Sequence, residues 1–352
     1  MTPLRVAQWA TGPTGRHAIR AVVDHPDLEL VGCLVYSRDK EGRDAGEIAG
    51  IQPTGVIATT SRDQLIALDA DCALYMPQGD ANPTAALDDI CALLAAGKNV
   101  VSTAVTMLIY PKSMGAAVVE RLEMACATGG TTFHATGIEP GWASEVLPLV
   151  MSGVLKRVDS LLVQEQLDYA SYDNEFVLCD VMGFGRTPDD PSVIGRDASI
   201  LASVFTTPLM LLADAFEATI DEFTFDRQVC LADRDFEIAA GAIKAGTVDA
   251  LRFSATAVVA GRPAMTVEHI TRVRTDAAPE WPRGRGWKVT VEGLPSMVVE
   301  ATIATRGEDE NDQGTLGAAM HAVHAIAPVC AASPGIKTFL DLPTIVGRGV
   351  LG

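Results

Sequence analysis

The chain has 352 residues, of which 48% are hydrophobic and 5% aromatic, and it carries a formal net charge of −18. This length is typical of about two domains. The acidic balance excludes nucleic acid as an expected partner, because a phosphate backbone requires an excess of Lys and Arg. We also expect no membrane span, since no apolar run reaches the required length.

The first forty residues combine a strand, a turn of small residues and the start of a helix. The segment Leu4 to Trp9 is predicted to form the strand, and apolar spacing after the turn predicts the helix. The turn matches the fingerprint G-x-G-x-x-G with alanine in first place and comprises Ala10, Thr11, Gly12, Pro13, Thr14, Gly15 and Arg16. Such a turn binds a pyrophosphate through main-chain amides at the helix N-terminus. It predicts a dinucleotide cofactor, and an ordinary strand-to-helix turn is the alternative.

The end of the second predicted strand, Leu28 to Tyr36, bears on which nicotinamide dinucleotide is bound. NAD-binding sites usually place Asp or Glu there to bind the ribose 2′-hydroxyl. Here Ser37, Arg38 and Lys40 occupy that place, which favours the 2′-phosphate of NADP. A register shift of one or two residues would bring Asp39 to the ribose, so NAD stays open, as does a merely solvated turn.

Strands and helices alternate through the first 140 residues, which predicts an α/β fold with a doubly wound parallel sheet of the Rossmann type. A short strand is predicted at Val56 to Thr59. Ligands bind such a sheet at the carboxyl ends of its strands. We expect further ends at Met76, Pro77, Ser102, Thr103, Ala104 and the loop Gly137 to Gly141. The dinucleotide-binding domain is therefore predicted to cover residues 1–145.

Longer strand-like runs follow and predict a second, substrate-binding domain over residues 146–312. The runs are Val158 to Tyr169, Phe223 to Leu231, Ala250 to Ala260, Ala264 to Arg274, Trp287 to Val291 and Met297 to Thr305. They favour an inserted α+β domain on a mostly antiparallel sheet, with one helix at about Ile200 to Ala218. Residues 313–352, with a helix from Thr315 to Cys330, are expected to return to the first domain.

Several segments together resemble known enzymes over nearly the whole chain. The turn from Ala10 to Arg16 resembles the N-terminal domain of the dihydrodipicolinate reductases. Asn99 to Thr103, Gly137 to Gly141 and Gly335 to Pro343 resemble the 2,4-diaminopentanoate dehydrogenases and the native amine dehydrogenases. The resemblance implies a Rossmann domain, an inserted α+β domain that also mediates dimerisation, a homodimer, and reduction of a C=N or C=O bond by NAD(P)H.

One position departs from the pattern of those amine dehydrogenases. They carry a Glu shortly after the Ser-Thr pair, where it activates ammonia and moves protons, and the matching position here is Val105. No carboxylate occurs in the sequence between Ser102 and Tyr110. Glu139, between a strand end and a helix start, is the candidate proton donor in its place. A helix-entry carboxylate stabilised by the helix dipole is the alternative for this residue.

Other side chains are candidates for proton transfer and for the substrate pocket. Tyr169 or Tyr172 is expected to donate a proton to a carbonyl oxygen, and a hydrogen-bonded loop is the alternative for both. The predicted pocket residues are Val105, Tyr110, Trp142 and His269. Core packing is the alternative for the tryptophan and the histidine.

We therefore expect an NAD(P)-dependent oxidoreductase, with NADP preferred, that acts on a small carbonyl, imine or amine substrate. The alternative is an NADP-binding sensor without dehydrogenase activity, which the missing carboxylate favours. Seven scattered cysteines without a CxxC pair, and an amino terminus that enters a strand at once, predict a cytoplasmic location. No metal is expected, because His321 and His324 alone have ligand spacing and lie late in an Ala-rich helix.

Overall fold

The structure, a computed structural model, describes residues 2–351. These residues form two compact units. The first runs up to Trp142 and resumes at Thr315, and the second spans Ala143–Gly314. The first unit is built on a parallel sheet and the second on a mostly antiparallel sheet, as the two kinds of strand pattern predict.

Strands and helices alternate along the first part of the chain, where short buried runs are separated by amphipathic ones. In order they are β1 (Leu4–Trp9), α1 (Pro13–Asp24), β2 (Leu28–Leu34), α2 (Ala45–Ala49), α3 (Arg62–Ala67), β3 (Cys72–Tyr75), α4 (Pro83–Ala95), β4 (Asn99–Ser102), α5 (Ala116–Gly129) and β5 (Thr132–Ala135). Short 3-10 helices occupy Gly79–Ala81, Thr106–Ile109 and Pro111–Met114. The segment Val56 to Thr59, predicted as a strand, is extended and hydrogen-bonded to its neighbours, but it pairs through isolated bridges at Ile57 and Thr59 and forms no continuous strand.

The middle and end of the chain carry the longer strands. In order they contain α6 (Leu147–Ser152), β6 (Arg157–Asp168), α7 (Ala198–Ser203), α8 (Thr206–Ala215), β7 (Glu222–Leu231), β8 (Phe236–Ile238), β9 (Gly241–Ile243), β10 (Val248–Val259), β11 (Arg262–Arg272), β12 (Gly286–Leu294), β13 (Met297–Thr302), α9 (Glu310–Ala331) and β14 (Gly335–Ile336). The helix expected over Ile200 to Ala218 is divided into α7 and α8. Pro208 then falls in the first turn of α8, where its missing N–H costs no hydrogen bond.

The sheet of the first unit is parallel throughout, in the order β14-β5-β4-β3-β1-β2. β3 and β5 are buried along their whole length, as expected for strands covered on both faces. The strand order reverses at β1, which lies between β2 and β3. A crevice forms at the carboxyl ends of strands at such a reversal, and α1 begins there.

α1 and α9 pack together against the middle of this sheet. Val6 of β1, Ile19 of α1 and Ile326 of α9 are fully buried in one apolar cluster. α9 is 22 residues long, and its length and composition alone would suffice for a membrane span. The sequence was expected to contain no segment of this length and hydropathy. Core helices of soluble proteins meet the same criterion. Here the small residues of α9 let it pack closely on the strands.

The second unit is a six-stranded sheet in the order β13-β12-β6-β11-β10-β7, and its neighbouring strands are antiparallel except for β6 and β11. Its apolar face packs against α8, with Val163, Val267 and Val289 in one cluster with Leu209. Most residues that alternate with these on the strands are polar, among them Gln164, Glu268 and Lys288. The fold therefore confirms the predicted class, a Rossmann-type parallel sheet with an α+β domain.

Candidate functional site

The turn after β1 is constrained at both ends. Ala10 has a φ of 77°, a left-handed conformation that favours glycine and strains alanine. The side-chain amide of Gln8 donates to the carbonyl oxygen of Ala10 at 2.9 Å. A Cβ on Gly15 would lie 2.2 Å from that same oxygen, so only glycine fits at this position. α1 therefore begins directly against the end of β1.

The first turn of α1 has the properties of an anion-binding site. Gly12 is the N-cap, so no side chain occupies the helix terminus, and no acidic residue lies in the first turn of this described helix. A Cβ on Gly12 would meet no protein atom within 4 Å. The exposed amides and the helix dipole thus face open space. These residues fit the pyrophosphate of a dinucleotide.

The segment after β2 adds positive charge to this turn. The ammonium of Lys40 lies 3.4 Å from both the carbonyl and the hydroxyl oxygen of Thr11. The hydroxyl of Ser37 donates to the carboxylate of Asp39, and Arg38 is exposed. The structure therefore brings Lys40 to the glycine turn, while one oxygen of the neighbouring carboxylate is engaged by the serine.

The ends of β3 and β4 contact each other. The amide of Thr103 donates to the carbonyl of Tyr75 at 3.1 Å, and the hydroxyl of Ser102 accepts from the amide of Ala104 at 3.1 Å. A Cβ on Gly79 would lie 2.7 Å from the carbonyl oxygen of Ala104. The strand ends thus bring together Met76, Pro77, Ser102, Thr103 and Ala104.

The position expected to hold a carboxylate is filled by a buried apolar side chain. Val105 is 3% exposed. A carboxylate nevertheless reaches the next residue from the loop after β3, because Asp80 accepts from the amide and the hydroxyl of Thr106 at 3.0 and 2.7 Å. Burial raises the pKa of Asp80 above its usual value, although Thr106 opposes the shift. Asp80 was not predicted, since its proximity depends on the packing of two loops.

The loop after β5 presents the proposed proton donor. Its ends are tied by the amide of Trp142, which donates to the carbonyl of Gly137 at 3.2 Å. Both carboxylate oxygens of Glu139 are shielded from solvent. Trp142 is half-buried, whereas Tyr110, expected in the cleft, is 5% exposed. Glu139 thus lies in a tight loop at a strand end of the first unit.

A cluster of polar side chains lies in the second unit around the carboxylate of Glu165, which is 4% exposed. Tyr169 donates its hydroxyl hydrogen to one oxygen at 2.6 Å, and the indole of Trp287 donates to the other at 3.2 Å. The Nδ1 of His269 lies 3.2 Å from the oxygen that Tyr169 contacts. We call these four residues the Glu165 cluster.

The donors around Glu165 determine its charge. Burial by itself raises the pKa of Glu165, but His269, Tyr169 and Trp287 together bring the pKa below its ordinary value. Glu165 is therefore an ionised carboxylate at neutral pH. Glu165 was not predicted as a site residue, yet a signal exists in the sequence: Glu165 occupies the same face of β6 as the core residue Val163.

The two tyrosines predicted as proton donors lie next to each other in the second unit. The hydroxyl hydrogen of Tyr169 is directed at Glu165 rather than outwards. Burial raises the pKa of Tyr172 above its ordinary value. The rings of Tyr169 and Tyr172 lie 5.6 Å apart. Glu139 belongs to the first unit, and these tyrosines belong with His269 to the second.

Comparison with known proteins identifies both parts of the chain. Residues 144–349 match the family model of the 2,4-diaminopentanoate dehydrogenase C-terminal domain. Residues 9–106 match that of the dihydrodipicolinate reductase N-terminus. An amine dehydrogenase of Streptomyces virginiae is 34% identical over 98% of this chain and 97% of its own length. The 2,4-diaminopentanoate dehydrogenase of Acetoanaerobium sticklandii is 22% identical over 84% of this chain and 80% of its own.

Solved structures extend the similarity of the fold. The amine dehydrogenase of Mycobacterium smegmatis superposes with a TM-score of 0.81 over 98% of this chain and 97% of its own, at 18% identity. A biliverdin reductase of Synechocystis gives a TM-score of 0.51 over 94% and 98% of the two chains, at 15% identity. The glycine turn and the comparisons agree with the resemblance read from the sequence. The chain belongs to the 2,4-diaminopentanoate and amine dehydrogenase family, and it is an NAD(P)-dependent oxidoreductase that reduces a C=N or C=O bond.

Proposed function

We propose that this protein is an amine dehydrogenase that uses NADP(H) to interconvert a small ketone and ammonia with a primary amine. The observation that carries the proposal is the full-length similarity to an amine dehydrogenase. The glycine turn supports it, because its open first helical turn fits a dinucleotide. The substrate is a small molecule that contains a carbonyl, imine or amine.

The first unit is proposed to bind the cofactor. The amides at the start of α1 hold the pyrophosphate. The rest of the dinucleotide is proposed to lie along the strand-end residues Met76, Pro77, Ser102, Thr103 and Ala104. Ser37, Arg38 and Lys40 are proposed to bind the 2′-phosphate, which favours NADP over NAD. Two observations support this preference: Lys40 lies against the glycine turn, and Ser37 engages the nearby carboxylate of Asp39.

The proposed reaction has a defined balance. Ketone and ammonium condense to an iminium ion with loss of water. When bound, the nicotinamide supplies the hydride that reduces the iminium carbon. The nitrogen then takes up one proton, so the overall consumption is one ketone, one ammonium, one NADPH and one proton. We propose that Glu139 moves the proton, since its carboxylate is shielded from water in a strand-end loop.

We further propose a cytoplasmic homodimer without nucleic acid, membrane or metal as partners. The polar face of the second sheet supports an interface there. On it Gln164 donates to Glu268 at 2.6 Å, and Arg252 pairs with the same carboxylate at 2.7 Å. Such a hydrogen-bonded, largely shielded polar row suits a partner surface more than a dry core. Light scattering of the purified protein measures its mass in solution and so tests whether it is a dimer.

Product analysis tests the proposed function. The protein is incubated with NADPH and a panel of small ketones, with and without ammonium, and products are identified by mass spectrometry. Formation of a primary amine only when ammonium is present supports the proposal. Formation of alcohol alone would establish a ketone reductase. Tight NADPH binding without turnover would favour a cofactor-binding sensor, the alternative that the buried valine at position 105 suggests.

A further inference from the structure

The segment after β2 carries an aromatic side chain that is open to solvent. Tyr36 is 62% exposed, whereas every other Phe, Trp or Tyr of residues 2–351 is buried or half-buried. Tyr36 lies two residues beyond Leu34, where β2 ends, and it directly precedes Ser37. Its ring is therefore exposed at the carboxyl edge of the first sheet, the edge at which such sheets bind their ligands.

The hydroxyl end of Tyr36, by contrast, is anchored to two nearby strands. The indole N–H of Trp9, the last residue of β1, donates to the hydroxyl oxygen of Tyr36 at 2.9 Å. The hydroxyl of Tyr75, the last residue of β3, forms a hydrogen bond with the same hydroxyl. Tyr75 gives its own hydrogen to a carboxylate oxygen of Asp89 on α4 at 3.0 Å. Tyr36 is therefore the donor between the two phenols.

The anchor is rigid because it belongs to the packing of the sheet. Trp9 and Tyr75 are each 1% exposed, and their ring centroids lie 5.4 Å apart. Val6 shares an apolar cluster with Ile19 of α1, so Trp9, three residues further along β1, projects from the opposite face. The ring of Tyr36 is thus held beside the strand ends, on the side of the sheet away from α1. It has little rotational freedom to lose when a ligand binds.

A nicotinamide dinucleotide brings a flat aromatic group to this place. Its pyrophosphate is proposed to lie at the start of α1, and its adenosine ribose beside Ser37, Arg38 and Lys40. The adenine is joined directly to that ribose, so it lies within the width of one sugar ring of the segment that begins at Tyr36. An exposed aromatic ring offers such a base a stacking surface, and stacking does not depend on the hydrogen-bonding pattern of the base.

We propose that Tyr36 binds the adenine of the cofactor by stacking, with its ring held in place by Trp9 and Tyr75. The inference rests on the proposed function, because that function supplies the dinucleotide and its direction along the sheet. It also separates two roles after β2. Arg38 distinguishes NADP from NAD at the 2′-phosphate, whereas Tyr36 contributes equally to both cofactors, since both contain adenine. Trp9 and Tyr75 are positioning residues that act on the base through Tyr36.

Titration with three ligands tests the proposal. NADPH, NADH and adenosine 2′,5′-bisphosphate, which lacks the nicotinamide half, are titrated by calorimetry into the wild-type protein, Tyr36→Ala and Tyr36→Phe. Tyr36→Ala should raise the Kd of all the ligands by the same factor, about tenfold or more. Tyr36→Phe keeps the ring and removes only the hydroxyl, so its Kd values should rise by no more than about threefold.

Met124→Ala provides the matched control. It truncates another large side chain of the first unit, which is 69% exposed on α5, and it should leave all the Kd values unchanged. In turnover, Tyr36→Ala should raise the KM of the nicotinamide cofactor with kcat nearly unchanged, because stacking contributes equally to the ground state and the transition state. Thermal denaturation of each variant checks that the fold is retained.

Three results would overturn the proposal. Tyr36→Ala could bind NADPH and NADH within about twofold of the wild type. Tyr36→Phe could lose as much affinity as Tyr36→Ala, which would assign the effect to the hydroxyl instead of the ring. Finally, Tyr36→Ala could weaken NADPH alone, which would place the side chain at the 2′-phosphate.

Product analysis distinguishes this result from the proposed function. If the wild type forms amine but Tyr36→Ala binds both cofactors normally, only the role of Tyr36 fails. If the titrations behave as expected but the wild type forms no amine, only the proposed function fails. A wild-type protein that binds neither cofactor would contradict both.

Discussion

The carbonyl oxygen of Ala10 lies 2.2 Å from the position that a Cβ on Gly15 would occupy. Only glycine therefore fits at position 15. Gln8 donates to the same oxygen, which fixes it in place. The start of α1 is thus pressed against the end of β1. Gly12, three residues earlier, faces open space instead, so the two glycines serve different purposes.

Substitution of these glycines should separate stability from cofactor binding. Gly15→Ala forces the turn apart, and we expect a loss of about 1–3 kcal/mol in the free energy of unfolding, together with weaker NADPH binding. Gly12→Ala should leave the thermal midpoint nearly unchanged but weaken NADPH by about tenfold or more, since its methyl group occupies the approach of the pyrophosphate. Thermal denaturation and fluorescence titration measure both effects. Equal thermal midpoints for the two variants would contradict this assignment.

Ala10→Gly should stabilise the protein. A left-handed conformation costs alanine about 1–2 kcal/mol, and glycine removes this strain while losing part of the gain to its more flexible unfolded state. We expect a net increase of about 0.5–1 kcal/mol in the free energy of unfolding. Urea denaturation measures it. Ala21→Gly inside α1 is the control and should destabilise by a similar amount.

The basic residues after β2 should affect the two cofactors differently. Arg38→Ala removes a guanidinium that is proposed to bind the 2′-phosphate, so the Kd of NADPH should rise by about tenfold or more while that of NADH changes little. Lys40→Ala removes a charge that contacts the glycine turn and is proposed to bind the 2′-phosphate, so it should weaken both cofactors, and NADPH more than NADH. Isothermal titration measures the four affinities. A parallel loss of NADPH and NADH in Arg38→Ala would sink the 2′-phosphate assignment.

Carboxylates of the first unit should differ in their effect on turnover. Glu139→Gln should lower the kcat of amine formation by about 100-fold with NADPH affinity retained, as for loss of a general acid or base. Asp80→Asn is the comparator, because its carboxylate is engaged by Thr106. The thermal midpoint of unfolding should fall in Asp80→Asn, whereas the kcat of this variant should change little. Unchanged turnover in Glu139→Gln would remove it from the reaction.

Two buried histidines attach the C-terminal part of the chain to β5. His134 contacts the carbonyl of Lys337 through Nδ1 at 2.8 Å, and His321 of α9 contacts the hydroxyl of Thr136 at 2.7 Å. Phe339 packs against both imidazoles. Burial lowers the pKa of His134 to about 4 and that of His321 to about 4.

Acid should therefore weaken this attachment. Because the folded pKa values lie below the ordinary value of 6.5, the unfolded chain takes up protons first, and stability falls as the pH drops from about 6.5 towards 4. Each histidine contributes up to about 3 kcal/mol of that loss. The double variant His134→Gln, His321→Gln should show a shallower fall of the thermal midpoint between pH 7 and pH 4.5. Identical slopes for variant and wild type would contradict the assignment.

The fold was predictable where local pattern and tertiary structure agree. The alternation of apolar runs gave the parallel sheet, and runs with period two gave the antiparallel one. Differences arose where local pattern was ambiguous. Val56 to Thr59 is apolar enough for a strand but finds only single-residue bridges, and the helix expected from Ile200 divides before Pro208.

The sequence by itself determined the cofactor class, since a glycine turn is local: seven consecutive residues fix the backbone that meets a pyrophosphate. Only the tertiary structure decided how the carboxylates are used. Asp80 reaches Thr106 across two loops, and Glu165 meets His269 across a strand pair separated by about a hundred residues. Such neighbours are set by sheet register and loop packing, which no local spacing encodes. The groups that donate hydrogen bonds to Glu165 come together only once the strands are paired.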